Sequence, residues 1–155
     1  ETGARALESG DPVRTVAELM GWEIEPLPVG LPLLAARDRE ALETGDGIAL
    51  HRQEIPLRSG ETVLVYHTPG HSPDSICIRL GGCLFIGDLL FSTSPGVAGL
   101  AGWDQPALLA SVGRVRWILA HEPVSLCCPG HGRSIPAAAM PALLDRLQEE
   151  AEGMA

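Results

Sequence analysis

Three times in this chain an apolar, strand-like run ends in a short glycine-bearing turn that carries a histidine or an aspartate. Val65-Tyr66 leads into His67-Thr68-Pro69-Gly70-His71-Ser72, Leu84-Phe85-Ile86 into Gly87-Asp88, and Leu126-Cys127-Cys128 into Pro129-Gly130-His131-Gly132. A Pro-Gly pair forces a sharp turn, and the missing Cβ of glycine lets the backbone approach closely, so the following side chain is aimed out of the sheet. Turns at strand ends bring residues distant in sequence to one point while the strands behind them stay rigid. A lone histidine in a turn is more often a hydrogen-bonded surface residue than a ligand, and Gly-Asp is a common turn pair. The order of the three carries the weight: Asp88 follows His71 by 17 residues, and His131 follows Asp88 by 43.

Periodicity supplies the elements between these turns. Asp11-Pro12 followed by Val13, Val16, Ala17 and Met20, then Gly21, predicts a short capped helix, with a strand from Trp22 to Leu27 after it. Residues 28–47 are rich in Pro, Gly, Ala and mixed charge, which reads as a loop with room for one short helix. Strands are expected at Ile48 to Leu57, Val63 to Tyr66, Ser75 to Leu80 and Cys83 to Ile86. Gly81-Gly82 then makes a two-residue hairpin that sets Leu80 opposite Cys83 and puts Cys77 on the other face. Asp104 is expected to cap a helix carrying Ala107, Leu108 and Val112. Val115 to Ala120 and Val124 to Cys128 read as strands. Met140, Leu143, Leu144 and Leu147 lie at helical spacing, with Pro141 in the first turn. The class is mixed α+β, in one domain spanning 1–155.

Charge narrows the partners. The chain has 20 acidic residues against 11 basic ones, all arginine, for a formal charge of −9, so a nucleic-acid backbone would be repelled and no nucleic acid is expected. No apolar run approaches the roughly 18 residues that cross a bilayer, so no membrane partner is expected. Four cysteines are too few for a disulfide scaffold. Cys127 and Cys128 read as small buried thiols in preference to metal ligands, and reduced thiols fit a cytoplasmic protein. The absence of Lys and Asn beside abundant Gly, Pro and Ala implies G+C-rich coding, from which a bacterial source is expected.

From about Val63 to Gly132 the chain resembles the metallo-β-lactamase superfamily of metal-dependent hydrolases. Val65 to Ser72 is similar to a family motif whose histidine is a zinc ligand, here His71. Leu84 to Asp88 is similar to one whose aspartate bridges two metals, here Asp88. Pro129 to Gly132 is similar to one whose histidine completes the second metal site, here His131. The resemblance implies an αββα sandwich with the site at one sheet edge, and zinc as two ions, with iron or manganese as alternatives. His67, four residues before His71, is a candidate for a supporting hydrogen bond beside the ligands, and His121, beside Glu122, for a surface or cleft position.

The family's His-x-His-x-Asp-His motif is absent from these 155 residues. His51 does not replace it, since Gln53 and Glu54 follow. The sequence is therefore expected to be the C-terminal portion of a longer protein, with the N-terminal part of the fold missing. A metal-bound hydroxide is the expected nucleophile, since imidazole and carboxylate ligands suit metals that lower the pKa of bound water, and no Gly-x-Ser-x-Gly motif offers a serine. The expected function is hydrolysis of a small ester, thioester or lactone by the full-length protein. A non-catalytic, metal-poor remnant of the same fold is the alternative, and a phosphodiesterase or nuclease a minor one. This chain alone keeps two ligands per metal and is expected to bind weakly and be inactive. Exposed sheet edges give an expectation of homo-oligomers.

Overall fold

The computed structural model describes residues 2–15, 17–28, 40–45, 47–91 and 101–153. Contacts divide the chain into two units, Glu1–Asp38 and Arg39–Ala155. In the first, α1 (Thr2–Ser9) is followed by a turn and the four-residue α2 (Ala17–Met20). Asp11 closes a turn at 12–15 and does not cap a helix there, its Oδ1 accepting from the amides of Val13 and Arg14 at 3.0 and 3.1 Å. The predicted helix shrinks to its last turn, because a single turn returns few hydrogen bonds for the dihedrals it fixes. Trp22 to Leu27 is not a strand. Pro26 and Pro28 have no amide hydrogen to give a ladder, and the Leu27 amide bonds instead to the Leu7 carbonyl at 2.9 Å.

The second unit is built on a seven-stranded sheet whose spatial order follows the sequence: β1 (Glu40–Glu43), β2 (Ala49–Pro56), β3 (Thr62–His67), β4 (Ile76–Leu80), β5 (Cys83–Gly87), β6 (Leu126–Pro129) and β7 (Ile135–Pro136). Neighbours are antiparallel except β5 and β6, which run parallel. A parallel pair needs a long crossover, and the crossover here contains α3 (Gln105–His121). The chain closes with α4 (Met140–Glu152).

Five of the predicted strands appear within a residue or two, and Leu80 pairs with Cys83 across Gly81-Gly82 as predicted. Two expectations fail in this unit, and one short strand was not foreseen. Val115 to Ala120 is helical, the second half of α3. Leu108, Ser111, Val112, Val115 and Ile118 are its buried residues, a three-to-four spacing that outweighs the strand preference of Val and Ile. β1 lies inside the stretch read as loop; Glu and Ala are poor strand formers, and its pairing with β2 alone holds it. β7 is two residues long, with its proline tolerated at a sheet edge. The short helix allowed within 28–47 and the loop from Ser92 fall largely on residues 29–39 and 92–100, outside the described residues.

Strand alternation separates the two faces. Leu50, Leu64, Tyr66, Cys77, Leu84, Ile86 and Cys127 point to one side and pack with Leu108, Val112, Val115 and Ile118 of α3 and Met140, Leu144 and Leu147 of α4. The other side carries Ile55, Val63, Val65, Ile78 and Phe85, the last 45% exposed. Leu144 has no exposed surface. Leu144→Ala is therefore expected to cost about 2–5 kcal/mol, read as a lower denaturant midpoint at an unchanged slope.

A polar cluster fixes the far end of α3. Glu122, its C-cap, takes ion pairs from Arg52 at 3.4 Å and Arg79 at 3.3 Å. Burial, then the neighbouring Glu122, holds the Tyr66 hydroxyl well above its ordinary pKa, so it is neutral at physiological pH. Among the described residues no helix is long and apolar enough to cross a membrane.

Candidate metal centre

The C-terminal ends of β3, β5 and β6 deliver the three predicted side chains to one place. The strand pairing explains why: β5 and β6 are parallel neighbours, so Asp88 and His131 leave the same sheet edge. β4 returns from that edge antiparallel to both β3 and β5. The register shifts between Phe85 and Gly87, and Gly87 adopts φ +52°. A bulge of this kind bends a strand end and re-aims the next side chain, here Asp88.

His71 Nε2 lies 3.9 Å from Asp88 Oδ2, and His131 Nε2 lies 3.6 Å from Asp88 Oδ1. The carboxylate thus sits between the two imidazoles, one oxygen toward each. Both separations exceed a direct hydrogen bond but fall within the span of two metal–ligand bonds of about 2.0–2.2 Å each. The His71 Nδ1 atom is buried with no hydrogen-bond partner among the described residues. The donor set, imidazole and carboxylate, is the one that zinc, iron and manganese accept. These residues fit a metal, which His71, Asp88 and His131 would hold, the carboxylate being the donor near both imidazoles. Each imidazole has only the Asp88 carboxylate beside it, and no group of three or more His, Cys, Asp or Glu that could hold an ion occurs among the described residues.

The backbone around the carboxylate is shaped to it. The Gly130 amide donates to the Gly87 carbonyl at 2.8 Å, tying the ends of β5 and β6. A Cβ built on Gly130 would overlap Asp88 Oδ1, so only glycine lets the β6 turn close over Asp88. Phe91, in the short 3-10 turn after Asp88, meets the His131 ring edge-on at 5.8 Å between centroids. His131 is otherwise open, with 74% of its side chain exposed against 31% for His71 and 32% for Asp88.

The His71 loop is held more tightly. The Thr68 amide donates to the Ser75 carbonyl at 3.0 Å, and the Asp104 amide donates to the Gly70 carbonyl at 2.9 Å. Gly70, at φ +143°, lies directly on the backbone of Leu108. Asp104 is a cap, as its sequence predicts: its side chain accepts from the Ala107 amide at 2.9 Å. His67 Nε2 lies 2.9 Å from the Pro73 carbonyl, so that nitrogen carries the hydrogen and braces the loop bearing His71. His121 is the last residue of α3, not the residue after a strand. Its Nδ1 lies 2.8 Å from the Trp117 carbonyl, and its ring stacks on Trp117.

The cysteines are free. Burial pushes the Cys77 thiol up to about 12 and the Cys127 thiol to about 11. Both are protonated at neutral pH, which suits core packing and not metal ligation. Sequence reasoning missed Gly130 as a close partner of Asp88, and Ser111, whose hydroxyl donates to the Pro69 carbonyl at 2.6 Å. A polar residue at a buried position of an otherwise aliphatic helix stripe was the available signal for Ser111.

Residues 8–134 match the family model described as the metallo-beta-lactamase superfamily. No curated protein matches the chain in sequence. Among solved structures, the BLEG-1 B3 metallo-beta-lactamase is 28% identical with a TM-score of 0.60, covering 90% of this chain and 59% of its own. The structure of TTHA1623 in a di-iron-bound form is 27% identical with a TM-score of 0.54, covering 88% of this chain and 57% of its own. The chain therefore spans less than two thirds of either. Over that span the mixed sheet and its helices match a partial-length fold of this kind, and the chain belongs to the metallo-beta-lactamase superfamily.

Proposed function

We propose that the chain supplies the His71, Asp88 and His131 ligands of a metal-dependent hydrolase acting on a small ester, thioester or lactone. The observation that carries this reading is the Asp88 carboxylate standing between two imidazole nitrogens, 3.9 and 3.6 Å away. Metal ions held there would supply Lewis acidity and a water of lowered pKa. Asp88 contributes the negative charge common to both positions. His71 is a half-buried anchor fixed by its loop, and His131 an open one that leaves the site accessible from solvent. Zinc suits the donors, and the di-iron form of TTHA1623 supports iron as an alternative. The −9 charge favours a small substrate over a polyanion.

A second reading, a metal-poor binding protein without activity, draws on the two donors per position. Elemental analysis and hydrolysis of p-nitrophenyl acetate, an acyl thioester and an acyl homoserine lactone separate the two in the longest natural form of the protein. The hydrolase reading expects bound metal and turnover of at least one substrate, lost with chelator and restored by added zinc or iron. Metal-free protein, with no turnover after reconstitution, contradicts it.

A further inference from the structure

Every other buried residue of α3 is aliphatic, yet Ser111 has no exposed surface and carries a hydroxyl. Alanine would fold into the same helix more readily, by about 0.5 kcal/mol, so the hydroxyl is not there for the helix. Nor does its hydrogen go back to a carbonyl of its own helix, as in many buried helical serines. It reaches across to the Pro69 carbonyl, 2.6 Å away and two residues before His71. Its direction is fixed. Arg114 donates from Nη1 to Ser111 Oγ at 3.1 Å, which leaves the serine hydrogen for Pro69. Arg114 is itself anchored, Nε donating to the Ala49 carbonyl of β2 at 3.0 Å.

We infer that Ser111, polarised by Arg114, is a positioning residue for His71: the chain Ala49–Arg114–Ser111–Pro69 clamps the loop root so that the imidazole meets the Asp88 carboxylate. This rests on the reading of His71 as a metal ligand. The guanidinium makes the hydroxyl a stronger donor than a neutral neighbour would. The clamp complements two fixtures on the next residue, the Asp104 amide on the Gly70 carbonyl and the Gly70 contact with Leu108. Together they leave the Pro69–Gly70 peptide little freedom. His131 is held by the Gly130 amide on the Gly87 carbonyl and by the edge of Phe91, both remote from Ser111, and its side chain is more than twice as exposed. The two imidazoles should therefore respond differently when Ser111 is changed.

The test follows the ring nitrogen signals of His71 and His131 by NMR, in metal-free chain and through a zinc titration, for wild type, Ser111→Ala, Ser111→Thr and Arg114→Met. His71→Ala and His131→Ala assign the signals and serve as references. Ser111→Ala is expected to shift or broaden the His71 signals before any metal is added and leave those of His131 unchanged. It is also expected to weaken zinc binding about 10- to 100-fold, the usual effect of losing a residue that orients a ligand. Ser111→Thr, which keeps the hydroxyl, restores both readouts if it folds. Arg114→Met, at a partly exposed position, moves them in the same direction and decides the matter if neither Ser111 variant folds. Wild-type His71 signals and zinc affinity in Ser111→Ala, or in Arg114→Met where that variant decides, beside lost affinity in His71→Ala, overturn the positioning role alone. Wild-type affinity in His71→Ala overturns the ligand reading and the inference with it.

Discussion

Asp88→Asn is expected to abolish metal binding at both positions, lowering affinity by at least about 100-fold, more than is typical for a residue that only orients a ligand. The amide has almost the same shape as the carboxylate but lacks its charge, and a neutral amide is a poor partner for zinc or iron. Because one Asp88 oxygen faces each imidazole, no other single substitution reaches both positions. His71→Ala and His131→Ala are each expected to remove one. Equilibrium dialysis with elemental analysis reads the difference directly. Wild-type metal content in Asp88→Asn is inconsistent with a bridging carboxylate. Stability should change little, since Asp88 is about one third exposed and a partly solvated charge is worth little to folding.

The second large effect is on the fold. Gly70→Ala is expected to destabilise the chain by about 2–6 kcal/mol, combining backbone strain with overpacking. Gly70 sits at φ +143°, where side chains are disfavoured, and a new Cβ would overlap the Leu108 backbone. Gly60→Ala separates these causes. Gly60 also has positive φ, +89°, but nothing lies within 4 Å of its would-be Cβ, so it pays strain alone, about 1–3 kcal/mol. Denaturant midpoints of the two variants provide the comparison. Equal losses would mean that the contact between the His71 loop and α3 carries no weight. The typical stability of a domain is about 5–15 kcal/mol, so the larger loss would leave Gly70→Ala close to unfolded.

The meeting of His71, Asp88 and His131 at one candidate site was legible because the turns that carry them follow local rules. Pro69-Gly70 and Pro129-Gly130 announce turns in any context, and the strands leading into them alternate cleanly. The C-terminal helix and the Gly81-Gly82 hairpin were legible for the same reason. The failures occur where neighbours far along the chain decide the outcome. Val115 to Ala120 has strand-forming side chains, and only the faces of the sheet and α4 packed around it make it helix. β1 has a composition that argues against a strand, and pairing with β2 makes it one. Trp22 to Leu27 has the pattern of a strand but prolines that deny it a partner. Gly130 and Ser111 matter through tertiary contacts, with Asp88 Oδ1 and the Pro69 carbonyl respectively. A glycine or serine in sequence does not say what it will touch.

On the proposed function, the Asp88 carboxylate joins the His71 and His131 imidazoles through metal ions. Crystals soaked in zinc, with diffraction recorded at the zinc absorption edge, test it most directly. Anomalous density is expected beside Asp88, with His71 Nε2 and an Asp88 oxygen each about 2.0–2.2 Å from one ion and His131 Nε2 with the other oxygen about the same distance from a second. Zinc bound elsewhere, with all three side chains bare, would contradict it.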